Sequence, residues 1–372
     1  MTSPDRPRIA VLFTGHFYRQ GRRGSMHWLA DQLRDHGWSV RFVTFGYSWL
    51  SLLTRDVRLA GVERPPHGLS SVGPGLDTYF AIKPFHPIDL RKPLLNRLAR
   101  PVFDRFGALW SGDVRHLTAD ADLVVLESGL PVLLAPLVRR HSRARMVYRV
   151  NDDVRIMRMP PAVPRAEIDH APLFDRISVA SPILAERFAA IGRIGMDPMG
   201  LDAAKFRQPH PSPFDSGWEK EAVCAGTSHF DAPTVLTMAA LRPRWRFHIL
   251  GRLREPIEGP NIVCHGEQPF DRVVPYVQHA DIGLAPYRDL PGVEYQTHHS
   301  NRLLQYAALG LPTVGPRRMA HLDAPYLVGY DPTDTASIDA ALTRAAGLDR
   351  TLLTANVPGW DALYRGIVSV CE

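Results

Sequence analysis

The chain of 372 residues is long enough for two domains, since a domain typically holds about 100–200 residues. Its composition, 45% hydrophobic and 22% charged, is typical of a globular protein and excludes a disordered chain. The net charge of +6 is uneven, because residues 1–200 hold 28 Lys and Arg against 19 Asp and Glu, whereas residues 201–372 hold 16 against 19. A basic first half indicates a surface that meets phosphates, although a bias toward Arg would give the same count.

Segments for export, membrane crossing or cross-linking are not predicted. The longest apolar run, 123–138, is interrupted by Glu127 and is shorter than the roughly 20 residues of a spanning helix. The N-terminus lacks the basic-then-apolar order of a signal peptide, which predicts a cytoplasmic location. Cys224, Cys264 and Cys371 form no CxxC pair, so we expect no disulfide framework or zinc site, and we expect the first two to be buried thiols.

Short apolar runs alternate with helical patterns along the chain. Residues 8–13 predict a strand, 25–36 a helix that ends at Gly37, and 38–45 a second strand. The same alternation predicts further strands over 122–127, 144–150, 176–181, 222–226, 245–250, 261–265, 281–287 and 311–315. Near-continuous apolar strands separated by helices favour parallel sheets covered on both faces. We therefore predict an α/β protein of two Rossmann-like, doubly wound domains that face a cleft.

A polar, Pro-rich stretch without strand pattern, 203–220, predicts the linker between the domains. The first domain then covers 1–202 and the second 221–356. The last segment, 357–372, predicts a helix that could return to the first domain. Ligands of doubly wound sheets bind beyond the carboxyl ends of the strands, so the loops there are the candidate sites.

The loop after the first strand is rich in basic side chains and leads into a helix N-terminus. Its candidate acceptor or anion-binding residues are His16, Arg19, Arg22 and Arg23. Neither GxGxxG nor GK[ST] occurs in it, so the pattern is not that of a dinucleotide-binding turn or a P-loop. A solvated basic loop without a ligand remains the alternative.

Acidic residues follow two predicted strands. Asn151, Asp152 and Asp153 end one strand, and a carboxylate there is a candidate general base; the alternative is a helix N-cap. Glu127 ends another strand, where it could cap or orient the cleft, and the simpler interpretation is that it bonds nearby backbone without taking part in chemistry. The Asp-x-Asp at 120–122 precedes a strand and so lies at the wrong end of the sheet, and we predict no metal site.

In the second half, residues 297–312 predict a helix that runs into a Gly-Leu-Pro turn. Ser300 or Asn301 would begin this helix and leave free N–H groups suited to a diphosphate. Arg302 and Gln305 lie on one helical face. An ordinary amphipathic helix with an exposed Arg302 is the alternative.

Short motifs occur in one order from about residue 8 to about residue 345. They are H-x-[FY]-R-x-x-R-R at 16–23, DQL at 31–33, ESG at 127–129, MVYR at 146–149, SP at 181–182, FD at 230–231, GE at 266–267, APY at 285–287, LLQY at 303–306 and GLP at 310–312. By the order and spacing of these motifs the chain resembles the GumK-type glucuronosyltransferases of xanthan assembly, which have the GT-B fold.

The resemblance implies an inverting, metal-independent transfer without a cofactor, from UDP-glucuronate to a polyprenyl-diphosphate-linked oligosaccharide. It places the general base at Asp152. It places the donor contacts at Ser228, Glu267, Tyr287, Ser300, Asn301, Arg302 and Gln305. The implied location is the inner face of the plasma membrane, where the protein would be peripheral.

Three of these positions depart from the family. The family has Met where Ser228 and Asn301 stand, and Lys where Arg302 stands. It has Gly where Asp153 stands, so this chain holds a second carboxylate beside the implied base. Because the cation at 302 would help to read the donor sugar, UDP-glucose or GDP-mannose remains an alternative donor.

Residues 83–105 hold six Lys and Arg against two Asp, interleaved with large apolar side chains. A basic amphipathic segment indicates binding to an anionic membrane surface, and the alternative is a helix whose apolar stripe faces its own domain. We expect no nucleic-acid partner, because no RNP motif, zinc finger or helix-turn-helix pattern occurs. A non-catalytic scaffold at the membrane remains a third interpretation.

Overall fold

The computed structural model describes residues 6–20, 23–54, 59, 66–157, 159–215, 217–253, 255–298, 300–320 and 324–372. It divides into two compact units. The first unit comprises Met1–Pro198 and Trp360–Glu372, and the second comprises Met199–Gly359.

The described part of the first unit contains one sheet of eight strands. They are β1 (Ile9–Thr14), β2 (Ser39–Thr44), β3 (Gly68–Gly73), β4 (Leu76–Phe80), β5 (Leu123–Glu127), β6 (Arg145–Val150), β7 (Arg176–Val179) and β8 (Ile194–Met196). Their order is β3-β4-β2-β1-β5-β6-β7-β8, and every pair is parallel except β3 with β4. Apart from Ile9 and Glu127 at their ends, the residues of β1 and β5 are almost entirely inaccessible to solvent, since helices cover both faces.

The helices of this unit before the second unit begins are α1 (Ser25–Asp35), α2 (Trp49–Leu53), α3 (Pro93–Phe103), α4 (Ser111–Thr118), α5 (Ala135–His141), α6 (Ala162–His170) and α7 (Pro182–Ala185). The predicted first helix is confirmed: Met26, Leu29 and Leu33 are buried along one face of α1. The helix stops before Gly37, whose φ of 81° is readily adopted only by glycine.

The described part of the second unit contains six parallel strands in the order β11-β10-β9-β12-β13-β14. They are β9 (Lys220–Ala225), β10 (Trp245–Leu250), β11 (Ile262–Gly266), β12 (Ile282–Leu284), β13 (Thr313–Pro316) and β14 (Leu327–Tyr330). The helices are α8 (Ala203–Arg207), α9 (Ala232–Leu241), α10 (Phe270–His279), α11 (Asn301–Ala308) and α12 (Thr335–Ala346). Successive residues of β9 enter opposite cores: Val223 packs on one face and Cys224 on the other.

The start of the second unit and the last helix of the first unit bear on the predicted boundaries. Residues 203–207, at the start of the predicted linker, form α8, and Phe206 is fully buried in the core of the second unit. The last helix, α13 (Trp360–Val368), packs against α1 of the first unit, where the rings of Trp28 and Trp360 stack at 5.6 Å.

The predicted α/β class with two doubly wound sheets is confirmed. The hairpin β3–β4, the short β8 and β14 had not been predicted. The expected burial is confirmed for Cys224 but wrong for Cys264, which is exposed. Cys264 lies on β11, an edge strand whose residues remain partly accessible. None of the described helices is long and apolar enough to span a bilayer.

Candidate functional site

The carboxyl ends of three adjacent strands in the first unit bring together a polar cluster. Strand β5 lies between β1 and β6, so Thr14, Glu127 and Asn151 meet at one edge of the sheet. The hydroxyl of Thr14 donates to Oε2 of Glu127, and Nδ2 of Asn151 donates to Oε1 at 2.8 Å. The side chain of Glu127 is therefore bonded from both neighbouring strands, and it also accepts from the backbone of Gly15.

The surroundings of Glu127 explain its ionisation. Burial raises the pKa of Glu127 to about 7, and the charge of Asp152 adds to the shift while the bonds from Thr14 and Asn151 oppose it. Arg149, with no exposed surface, lies in the same cluster, and its Nε donates to Oδ1 of Asn151 at 2.9 Å. Burial lowers the pKa of Arg149 to about 10, so the guanidinium stays charged near neutral pH.

The two consecutive carboxylates after β6 have different environments. Asp153 is 1% exposed, accepts from Nε of Arg155 at 2.9 Å, and forms an ion pair with Arg187 at 3.5 Å. Although burial opposes ionisation, these two guanidinium groups lower the pKa of Asp153. Asp152 is half-buried, one residue beyond the cluster. Of the pair, Asp153 is buried in ion pairs, and Asp152 is the more accessible to solvent.

The residues of the predicted anion loop in the first unit also differ in their exposure to solvent. His16 and Arg19 are exposed, whereas Arg22 lies outside the described residues. Arg23 forms an ion pair with Asp31 and lies over the ring of Trp28 at 4.9 Å. Of the described candidates, His16 and Arg19 are thus the ones presented to solvent.

A buried histidine fixes the shape of this loop. Nδ1 of His27 accepts from the backbone N–H of Gly24 at 3.0 Å, and Nε2 lies 2.9 Å from the carbonyl of Phe17, to which it donates in the neutral ring. Burial lowers the pKa of His27 to about 3, so the ring is neutral at ordinary pH.

In the second unit, the predicted donor residues lie beyond the carboxyl ends of the strands. Ser228 follows β9, Glu267 follows β11 and Tyr287 follows β12. A β-bridge between Phe230 and Tyr287 joins the first and last of these loops. Ser228 and Glu267 are exposed, and Tyr287 is buried.

Arg302, on the first turn of α11, contacts the loops that follow the strands at this end of the sheet. It is 4% exposed, so the alternative of an exposed arginine is wrong. Its Nε donates to the carbonyl of Ala225 at 3.2 Å, Nη2 donates to the carbonyl of Gly226, and the guanidinium lies 4.6 Å from the ring centre of Tyr287. Nη1 is buried and has no hydrogen-bond partner among the described residues.

Ser300, just before α11, and Gln305, within it, are buried as well. The hydroxyl groups of Ser300 and Tyr287 bond each other, so Ser300 does not cap the helix. Oε1 of Gln305 is buried without a partner in the described part of the chain. Asn301 is half-buried at the helix start, where first-turn N–H groups have no intrahelical acceptors.

A second predicted surface, residues 83–105, contains α3, and no side chain of this helix is buried. Leu94 and Leu98 are each 67% exposed, and Val102 is 52% exposed. The alternative that the apolar stripe faces its own domain is therefore wrong. Ser48, just before α2, forms a β-bridge with Lys83 at the start of this segment, and Trp49 and Leu53 of α2 are exposed as well.

The Asp-x-Asp at 120–122 takes part in the fold. Asp120 pairs with Arg41, and Asp122 accepts from the backbone N–H of Ile9 at 2.8 Å. The described residues contain no group of three or more His, Cys, Asp or Glu arranged to hold a metal. Metal independence stays a prediction.

Comparison with known proteins identifies the family. Residues 12–180 match the family "Glucuronosyltransferase GumK, N-terminal domain". The chain is 30% identical over 345 residues to the UDP-glucuronate:glycolipid 2-beta-glucuronosyltransferase of Xanthomonas campestris pv. campestris, covering 91% of this chain and 84% of that protein. The chain belongs to the GumK family of glucuronosyltransferases. It is a glycosyltransferase.

Solved structures agree with this family at the level of the fold. Sucrose-phosphate synthase from Thermosynechococcus elongatus matches with a TM-score of 0.65 at 13% identity, covering 98% of this chain and 96% of that one. A glycosyltransferase from Rickettsia africae matches with a TM-score of 0.58 at 9% identity, covering 98% and 94%. The GumK-family chain thus has the GT-B fold.

Sequence reasoning missed several residues of this GumK-family site. Asn151 was considered only as part of an acidic run, and for Glu127 the simpler interpretation was a bond to nearby backbone. Tyr330, whose hydroxyl is buried without a partner among the described residues, was not considered. A strand-end position followed by a helix was the available signal for Glu127, but its burial could not be read from the sequence.

Proposed function

We propose that this glycosyltransferase moves glucuronic acid from UDP-glucuronate to a polyprenyl-diphosphate-linked oligosaccharide in exopolysaccharide assembly. The observation that carries the donor proposal is the buried guanidinium of Arg302, which has an unpartnered Nη1 and no acidic partner among the described residues. The name of the Xanthomonas relative, which specifies UDP-glucuronate and a glycolipid, supports the same donor and acceptor classes.

A buried cation without a counter-charge favours an anionic ligand. Burying an unpaired charge costs several kcal/mol, so such an arrangement is maintained where a ligand supplies the missing charge. UDP-glucuronate offers two anions, the diphosphate and the sugar carboxylate, and Arg can bind either in a bidentate manner. The first-turn N–H groups of α11, beside Arg302, would add to the attraction for the diphosphate.

The proposed reaction is a single displacement with inversion. Asp152 takes the proton of the acceptor hydroxyl, whose oxygen attacks the anomeric carbon on the face opposite UDP. The charge that develops on the leaving diphosphate is met by Arg302 and the start of α11, without a metal. The exposed His16 and Arg19 are candidates for holding the acceptor diphosphate.

Calorimetric binding of three donors tests the donor proposal. UDP-glucuronate, UDP-glucose and GDP-mannose are titrated, without and with EDTA, into the wild type, Arg302→Met and Arg350→Met. Arg350 is the matched control, because it also donates to backbone carbonyls of the second unit, at Leu309, Gln278 and Ala280. We expect UDP-glucuronate to bind best and to lose at least about tenfold in affinity only in Arg302→Met.

The other outcomes decide between the remaining interpretations. If UDP-glucose bound equally well to the wild type and to Arg302→Met, the assignment of the fold would stand, but the assignment of glucuronate as the donor sugar would fail. Loss of binding on addition of EDTA would overturn metal independence. Failure of all three donors to bind would favour the non-catalytic scaffold.

The role of Asp152 is tested by turnover. We expect Asp152→Asn to bind UDP-glucuronate as the wild type does and to lose transfer by a factor of about 10³ or more, because the amide cannot accept the proton. Asp153→Asn is the control, and it should keep transfer in any preparation that folds. Near-wild-type turnover by Asp152→Asn would remove the base assignment.

The exposed apolar and basic surface of α3 supports a further part of the proposal, that the enzyme acts as a peripheral protein on the inner face of the plasma membrane. Flotation with anionic vesicles at low salt tests it. We expect the double variant Leu94→Ser, Leu98→Ser to bind less than the wild type. Leu352→Ser, which changes an 80% exposed leucine in the second unit, should bind like the wild type. Equal flotation of all three proteins would contradict the role of α3.

A further inference from the structure

The buried carboxyl of Glu127 has no assigned part in the proposed reaction, yet it is held on both sides. Thr14 donates to one carboxyl oxygen from β1, and Asn151 donates to the other from the end of β6. Glu127 itself ends β5, the strand between those two. A carboxyl bonded from both neighbouring strands has a single orientation.

Asn151 transmits this constraint to the next residue. Its Oδ1 accepts from the hydroxyl of Ser25 at 3.0 Å and from Nε of Arg149 at 2.9 Å, and its backbone N–H donates to Ser128 at 3.2 Å. With Nδ2 bonded to Glu127, the side-chain oxygen and nitrogen of Asn151 are both engaged. The network therefore fixes the backbone from which Asp152 extends.

Among the described residues, the charged groups that face Glu127 are Asp152 and Arg149. Burial, with a smaller contribution from the charge of Asp152, raises the pKa of Glu127 to about 7. An ionised Glu127 can accept from Thr14 and Asn151 on its two oxygens, whereas protonation turns one of these oxygens into a donor and weakens that hold.

We propose that Glu127 is a positioning residue for transfer: its ionised carboxylate, bonded to Thr14 and to Asn151, orients the segment that carries Asp152. The proposal rests on the proposed function, because it requires Asp152 to be the base. In the step itself, the proton of the acceptor hydroxyl passes to Asp152, the new glycosidic bond forms, and the bond to UDP breaks with its electron pair leaving on UDP. Glu127 neither gains nor loses a proton.

The pH dependence of turnover tests this role. In the wild type, kcat/KM for the acceptor rises as Glu127 ionises near pH 7. Glu127→Gln keeps the shape of the side chain but cannot ionise, so this rise disappears and kcat/KM at pH 8 falls by about three- to tenfold. At pH 6, where Glu127 is largely protonated, the two proteins differ less. A rise near pH 7 that persists in Glu127→Gln would overturn the proposal.

Glu221 provides a matched control. It is a second buried carboxyl, 8% exposed, in β9 of the other unit, and burial raises its pKa also to about 7. Glu221→Gln should keep the rise near pH 7. Loss of the rise in Glu221→Gln, with retention in Glu127→Gln, would assign the titration to the second unit and overturn the proposal.

A second variant keeps Glu127 in place and moves its titration. Because the hydroxyl of Thr14 favours the ionised form of Glu127, Thr14→Val should shift the rise in kcat/KM upward by about 0.5–1 pH unit, whereas Thr14→Ser should leave it in place. Donor affinity and thermal unfolding of each variant report its folding. An unchanged profile in a folded Thr14→Val would contradict the proposal.

Failure of this inference is distinguishable from failure of the proposed function. If Asp152→Asn keeps transfer, the assignment of the base fails and the role of Glu127 fails with it. If Asp152→Asn abolishes transfer while Glu127→Gln has the wild-type pH profile, the inference about Glu127 alone fails.

Discussion

Each unit buries an arginine at the carboxyl edge of its sheet, and the surroundings of the two arginines are opposite. Arg149 in the first unit donates to Asn151 and Ser178 and is close to the charges of Asp197, Glu127 and Asp152. Arg302 in the second unit is bonded to backbone carbonyls and has an unpartnered nitrogen among the described residues. A buried cation with its counter-charge present organises a site, whereas one without a counter-charge indicates a site that needs an anionic ligand.

The sharpest test of this contrast is the removal of the arginine that has acidic neighbours. Arg149→Met leaves Glu127 and Asp152 without the guanidinium that interacts with both of them, and the loss of one partner from a buried charge cluster costs about 3–5 kcal/mol. We expect hydrogen exchange in β5 and β6 to show this loss, with β9 and β12 unchanged. A cost below about 1 kcal/mol would place Arg149 outside the charge balance of the cluster.

The second test compares stability with and without the donor. A ligand at 100 times its dissociation constant stabilises a folded protein by about 2.7 kcal/mol, and a tenfold loss in affinity reduces this gain to about 1.4 kcal/mol. We expect the larger gain in the wild type and Arg350→Met, and the smaller gain or less in Arg302→Met. Urea unfolding with and without a fixed concentration of UDP-glucuronate measures this increase in unfolding free energy. An equal increase in the three proteins would contradict the anion site at Arg302.

The third test concerns the buried His27 beside the anion loop. Because the folded-state pKa of about 3 lies below the ordinary value of 6.5, protonation favours the unfolded chain as the pH falls below 6.5. The stability that the neutral ring provides is fully present above pH 6.5, is reduced by about 1.4 kcal/mol at pH 5.5, and continues to fall toward pH 3. His27→Asn keeps an acceptor for Gly24 and cannot titrate.

The readout is the difference in unfolding free energy between the wild type and His27→Asn at pH 7.5 and at pH 5.5. Other groups titrate in both proteins, so the change in that difference isolates His27. A difference that does not change with pH would show that His27 binds a proton equally well in the folded and unfolded chain.

The smallest effect is expected at Gly226, whose φ of 100° lets its carbonyl accept from Arg302. A Cβ there would lie 3.8 Å from Nη2 of Arg302, so Gly226→Ala introduces backbone strain of about 1 kcal/mol without a collision. We expect a weakening of UDP-glucuronate binding by a fewfold. Gly217→Ala has similar strain, at a φ of 130° in open space, and should leave binding unchanged in calorimetry.

The sequence by itself determined the alternation of strands and helices, because continuous apolar strands and amphipathic helices are local patterns. It also placed Asp152 and Arg302 after the strands and at the helix start where the structure has them. The hairpin β3–β4 escaped prediction since the edge strand Gly68–Gly73 has no apolar run and no buried residue. The sequence thus predicted where a polar residue lies on a strand or helix, but it did not predict which residues contact it in the fold.

Only the tertiary structure decided which polar groups are buried and what they contact. Thr14, Glu127 and Asn151 are more than 100 positions apart at the extremes, and parallel pairing of β1, β5 and β6 brings them together. The burial of Arg302 likewise depends on β9 and the loop of Tyr287 packing around it. Desolvation and hydrogen bonding, which set the ionisation of Glu127 and the missing partner of Arg302, arise from contacts between distant segments, and no local pattern in the sequence encodes them.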